Sequence, residues 1–232
     1  MPMPASTTRC FGLIGGLGVG AAIHYYTRLA QAQAGQHTPL RLVMAHAHMP
    51  QVFAHVEAGD REALARYLAS LLGQLKAAGA DFAAIPAVMP HLCFRELEAI
   101  SPLPLLSIFE PLRAEVARRG IRRVSVLGTR YVIVSGLYGM LPEIDIVMPQ
   151  PEEITFIHDT YSALAARGHG TPQDFQGMTR LAQTLCARES LDAIVLAGTD
   201  LSLLFTPQNT AFPHLDCAAL HLQAIAGALA AI

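Results

Sequence analysis

Three histidines stand out as side chains able to do chemistry. His46 and His48 flank Ala47, and His91 follows Pro90. A neutral-range imidazole, with an ordinary pKa of about 6.5, can carry protons to and from a substrate. Two such rings in His-x-His order on an extended strand face the same side, which also suits a metal ion. Three readings stand open: acid/base or substrate contact, a metal site completed by Asp200, Asp216 or His221, or histidines hydrogen-bonded at the rim of a cleft. Cys93 and Cys217 are candidate nucleophiles, with burial expected for Cys93 and packing or ligand contact for Cys217; Cys10 and Cys186 fall inside predicted elements and are expected in the core. Thr129 and Thr199 close apolar runs with free hydroxyls. Arg130 can meet a carboxylate, and Gly15-Gly16 can offer backbone N–H groups to an anion.

These residues sit at the ends of apolar runs that alternate with helical patterns. Strands are expected over 10–14, 40–45, 81–87, 102–108, 123–127, 144–147, 192–197 and 212–215. Helices are expected over 21–33, 60–78, 110–119, 152–167 and 173–188, after His91, through Phe205, and at the C-terminal end. The alternation predicts parallel α/β architecture. The chain also repeats itself: Arg9-Cys10-Phe11-Gly12-Leu13-Ile14-Gly15 is similar to Arg122-Arg123-Val124-Ser125-Val126-Leu127-Gly128. In each half an Asp, Asp81 or Asp192, then leads an apolar strand to a residue six places on, Ala87 or Gly198. Two parallel-sheet α/β subdomains related by pseudo-twofold duplication are therefore expected, the first from 1–108 plus 210–232 and the second from 109–209. A ligand cleft belongs between them, at the carboxyl ends of the strands.

Composition removes several functions. The chain has 232 residues, 52% hydrophobic and 15% charged, enough to bury a sizeable core. A net charge of −2 without a basic run argues against nucleic acid. The run 11–23 is glycine-broken and too short to span a membrane, and residues 1–8 lack a signal-peptide pattern. The four cysteines show no CxxC pair, which suits a reducing, cytoplasmic setting. Gly15, Gly16, Gly18 and Gly20 do not form G-x-G-x-x-G in frame, so a dinucleotide cofactor is not expected.

Taken in order, Gly12-Leu13-Ile14-Gly15-Gly16-Leu17 with Tyr25-Tyr26, Ala78-Gly79-Ala80-Asp81-Phe82, Val126-Leu127-Gly128-Thr129-Arg130, and Asp216 with Leu220-His221 resemble the motifs of the aspartate/glutamate racemase superfamily over nearly the whole chain. That resemblance implies cofactor-independent chemistry by two cysteines, one from each half, on opposite faces of the substrate's α-carbon. One thiolate removes the proton and the other thiol returns one. The first belongs to a C-N-T-x-H motif, where this chain has Ala87-Val88-Met89-Pro90-His91. The second belongs to C-T-E, where it has Gly198-Thr199-Asp200. Both cysteines are therefore missing, and Val88 and Met89 replace polar groups that would hold a carboxylate. Their apolar character suggests a ligand group less polar than an aspartate side chain, and natural divergence of the whole site.

The resemblance thus implies a small amino acid or carboxylate as partner, bound by Gly16, His46, Val88, Met89, Thr129, Arg130, Thr199 and Cys217, with no cofactor, no metal, no nucleic acid and no membrane; a homodimer is admissible. His48 and His91 are the expected replacements for the thiols in a divergent carbon-acid enzyme. The alternatives are a non-catalytic ligand-binding homologue and a histidine-metal lyase or hydrolase on the same fold.

Overall fold

The computed structural model describes residues 9–34 and 39–230; the 1–8 stretch read for a signal peptide lies outside them. In the first half β1 (Phe11–Gly15), β2 (Leu42–His46), β3 (Phe82–Ala84) and β4 (Leu105–Leu106) form one sheet in the order β2-β1-β3-β4. In the second, β5 (Arg123–Leu127), β6 (Asp145–Ile146), β7 (Ala193–Leu196) and β8 (His214–Asp216) form another, β6-β5-β7-β8. All pairings are parallel. The two orders are the same order, so the duplication read from the sequence is a duplication of topology.

The paired aspartates have one structural job. Asp81 Oδ2 accepts the Cys10 N–H at 2.6 Å, and Asp192 Oδ2 accepts the Arg122 and Arg123 N–H groups at 2.8 and 2.9 Å. Each ties the entry of one inner strand to the amides at the start of the other. Those inner strands are buried on both faces, in keeping with their mostly apolar sequences; Ser125 of β5 is buried with them, and Arg123 at its start is partly exposed.

The helices are α1 (Val19–Gln33), α2 (Met49–Glu57), α3 (Arg61–Ala77), α4 (Phe94–Ile100), α5 (Phe109–Arg119), α6 (Arg130–Val134), α7 (Pro151–Arg167), α8 (Pro172–Glu189) and α9 (Cys217–Ala230). Their ends follow local chemistry. Asp60 accepts the Ala63 N–H at 2.8 Å to start α3, whose Leu64, Leu68, Leu71, Leu72 and Leu75 turn to the core. Pro151 with the Gln150/Glu153 capping box starts α7, and left-handed Gly168 stops it. No helix among the described residues is long and apolar enough to cross a membrane.

Two departures from the expected elements matter. No helix is expected between the strand at 40–45 and the helix at 60–78, yet α2 stands there, with Pro50 in its first turn, where a missing N–H costs nothing. Secondly, the segment 210–232 divides between the sheets: β8 hydrogen-bonds to β7 in the second sheet, whereas α9 lays Ala218, Leu222, Ile225 and Leu229 over Phe11, Leu13, Phe82 and Ala84 of the first. The chain therefore crosses between the halves within a few residues.

Candidate functional site

A cavity of about 550 Å³ lies between the two halves. The first half contributes the β1–α1 turn (Gly16, Leu17, Gly18, Val19), Met49 and Phe53 of α2, and the strand-end segment Ala87, Val88 and Met89. The second contributes Thr129, Val132, Asp200, and from α7 His158, Tyr161, Ser162, Ala165, Ala166 and Arg167. The α7 residues recur at three- and four-residue spacing, so one face of that helix forms a wall. Gly16 must be glycine: its φ is 85°, and a Cβ would fall on Ala47 O.

Asp200 is the buried carboxylate of this lining, 1% exposed. Its Oδ1 accepts the Ala21 N–H at 2.9 Å, and Tyr161 O–H donates to Oδ2 at 3.2 Å. Ala21 lies in the first turn of α1, so Asp200 caps that helix from the opposite half. A Cβ on Gly18 would overlap Asp200 Oδ2; the glycine there lets the carboxylate reach the helix end. Burial raises the Asp200 pKa, while the Ala21 and Tyr161 hydrogen bonds pull it back. Tyr161 is pushed well above its usual pKa, first by burial and then by Asp200, and is a neutral phenol at neutral pH.

The two positions that resemble catalytic cysteines differ from each other. Ala87 lines the cavity directly. Gly198 is covered: a Cβ there would overlap the Tyr161 ring, coming within 2.7 Å of Cζ. A cysteine at 198 and this placement of Tyr161 exclude each other.

Of the other expected contacts, Gly16, Val88, Met89 and Thr129 line the cavity, and six residues do not. His91, expected to move protons, is buried and fully engaged. Its ring stacks on Phe94 at 5.1 Å, Ile108 N–H donates to Nε2 at 3.2 Å, and Nδ1–H therefore donates to Ala87 O at 2.8 Å. Burial lowers its pKa to about 4 against that last hydrogen bond, so it is neutral and holds the 87–91 segment in place. His48, the other expected acid/base group, is an exposed residue at the start of α2, its N–H on Tyr67 Oη at 2.7 Å. His46 is exposed at the end of β2, and Arg130 is exposed with its guanidinium on Thr155 Oγ1 at 3.1 Å. Thr199 is buried and donates to Pro86 O at 2.8 Å, a bond between the halves in place of a ligand contact. Cys217 is fully buried, which pushes its thiol up; Cys93 rises to about 12 for the same reason. Among the described residues no three His, Cys, Asp or Glu side chains form a group able to hold a metal ion, so His46, His48 and His91 do not assemble as the metal reading required.

Sequence reading missed His158, Tyr161, Ser162 and Arg167. They lie on a helix whose pattern was legible, but the pattern does not say which face meets the cleft. Their spacing was the available signal.

A family model described as Asp/Glu/hydantoin racemase matches residues 14–225. An aspartate racemase homologue from Pyrococcus horikoshii is 21% identical with a TM-score of 0.79, over 95% of this chain and 99% of that one. The Picrophilus torridus aspartate racemase is 19% identical with a TM-score of 0.72, over 94% of each chain. Glutamate racemase from Francisella tularensis, solved with D-glutamate, is 11% identical with a TM-score of 0.61, over 96% of this chain and 81% of that one. These structures share the fold of two parallel-sheet subdomains. With its duplicated sheets and a family match spanning most of its length, the chain belongs to the Asp/Glu/hydantoin racemase family.

Proposed function

We propose that this racemase-family protein binds a small carboxylate bearing an apolar group in the cleft, and acts on its α-carbon without a pair of thiols. Family membership supports a racemase-type function. The finer reading rests on one observation, the polarity split of the cavity. The second-half wall is rich in donors: Thr129, His158, Ser162 and Arg167; the first-half wall is Met49, Phe53, Ala87, Val88 and Met89. A carboxylate belongs against the first set and an apolar group against the second.

The donors are poised for this. His158 Nδ1 accepts the Arg130 N–H at 3.3 Å, which leaves the proton of the neutral ring on Nε2. Thr129 Oγ1 accepts the Val132 N–H at 3.4 Å, so its own hydroxyl proton is free to be given. Arg167 pairs with Asp174 through one nitrogen and keeps further N–H groups. Asp200 is the group we assign to take the α-proton, because burial favours a proton on it more than on an ordinary carboxylate. We also place the protein in the cytoplasm, on its unpaired cysteines.

The test is exchange of the α-proton in deuterated buffer, followed by proton NMR on both hands of aspartate, glutamate, leucine and phenylalanine. Exchange is expected on an apolar amino acid, and Asp200→Asn abolishes it. Calorimetric binding without exchange on any of them would refute the catalytic part and leave a ligand-binding homologue.

A further inference from the structure

The Gly198–Tyr161 contact says more than that a thiol is missing. In a duplicated fold the ends of β3 and β7 are equivalent positions facing one cleft from two sides. At the first, Ala87 leaves an inert methyl group. At the second, Gly198 has no side chain, and the space its Cβ would occupy is filled by a side chain from another element, the Tyr161 ring of α7. That ring is 8% exposed and lines the cavity, and its hydroxyl is held by Asp200, itself fixed to Ala21 of α1. The phenol is thus anchored at both ends, by packing on Gly198 and by a carboxylate tied to the opposite half.

We infer that Tyr161 is the specificity-determining residue of the cleft. Its hydroxyl meets the ligand from the side of residue 198 as a neutral hydrogen-bond donor to a ligand oxygen. The inference rests on the proposed ligand class and deepens it. A neutral phenol does not itself take a proton from carbon, so acid/base work on that side falls to Asp200 beside it, and with only the Ala87 methyl group on the other side any reaction is one-sided. The ligand must carry an oxygen acceptor on the Tyr161 side and an apolar group toward Val88 and Met89. The Tyr161 O–H, which donates to Asp200, turns to the ligand oxygen. Once Asp200 holds the α-proton, its carboxyl donates to the phenol oxygen, and the phenol proton is given to the ligand.

Two independent measurements test it. The packing claim is tested by a melting cycle over Gly198→Cys, Tyr161→Ala and the double variant. Gly198→Cys is expected to lower the melting temperature by roughly 5 °C in the native background, and by less than half of that once the ring is gone. Equal shifts in both backgrounds, or no shift in either, would overturn the pair. The donor claim is tested by calorimetry with isobutyrate as probe. Tyr161→Phe keeps the ring and is expected to bind isobutyrate about tenfold more weakly, with the melting temperature lowered by only a few degrees for the lost Asp200 bond. Undiminished binding by Tyr161→Phe overturns the donor role. Should isobutyrate fail to bind the unmodified protein, the ligand class and the donor role fall together, while the melting cycle still decides whether Tyr161 and Gly198 are a packed pair.

Discussion

At the scale of single residues, histidine shows how far residue type is from role. His91 occupies the position of a motif histidine, but its two nitrogens are consumed by Ala87 O and Ile108 N–H. Its work is therefore in stability, with a pH signature. The folded-state pKa of about 4 lies below the unfolded value of about 6.5. Unfolding takes up a proton between those values, so the contribution is complete above pH 6.5 and fades as pH falls toward 4. The shift corresponds to about 3 kcal/mol. His221, buried between Tyr25 Oη at 3.1 Å and Leu106 O at 3.1 Å and lowered to about 3, acts in the same direction. Asp200 and Asp216, both raised by burial, oppose it. Urea midpoints measured from pH 7 to 5 should fall with pH. His91→Gln should flatten that dependence while lowering the midpoint at pH 7.

At the scale of elements, α7 decides what the cleft is. It contributes His158, Tyr161, Ser162 and Arg167, with Ala165 and Ala166 keeping the wall low enough to leave a cavity. Ala165→Leu should therefore occupy ligand space: isobutyrate affinity falls by about tenfold or more, and the melting temperature shifts by only a few degrees, since the added methyl groups enter an existing void. Calorimetry and melting on the same sample separate the two effects. The helix itself was legible, because proline at its start, a capping box and a terminal glycine mark its limits in sequence. Helix α2 was not, because Pro50 reads equally as a break and as a first-turn residue. Missing α2 hid Met49 and Phe53, and with them part of the apolar wall.

At the scale of the whole molecule, adjacent residues fasten the halves beneath the cleft. Thr199 donates to Pro86 O and Asp200 accepts the Ala21 N–H. Thr199→Val preserves shape but strands the Pro86 carbonyl, and should lower unfolding free energy by about 1–3 kcal/mol. Chemical denaturation gives the size. Faster amide exchange at residues on both sides of the cleft, compared with α3, would identify the lost bond as one between halves. The crossing of β8 into the second sheet and α9 back over the first reinforces the same join.

The sequence by itself determined the repeated strand–turn–helix order, the matching positions of Asp81 and Asp192 and the absence of both thiols. Each of these is local, or a relation between two similar stretches, and so survives in a one-dimensional reading. The tertiary structure alone decided which candidates share a cavity. Gly198 and Tyr161 lie far apart along the chain, as do Asp200 and Ala21, and no periodicity relates them. The first meeting depends on how α7 packs on the end of β7, and the second on how that end packs against the first half. That packing made Thr199 a tie, His91 a buried support, and Tyr161 the occupant of the space beside Gly198.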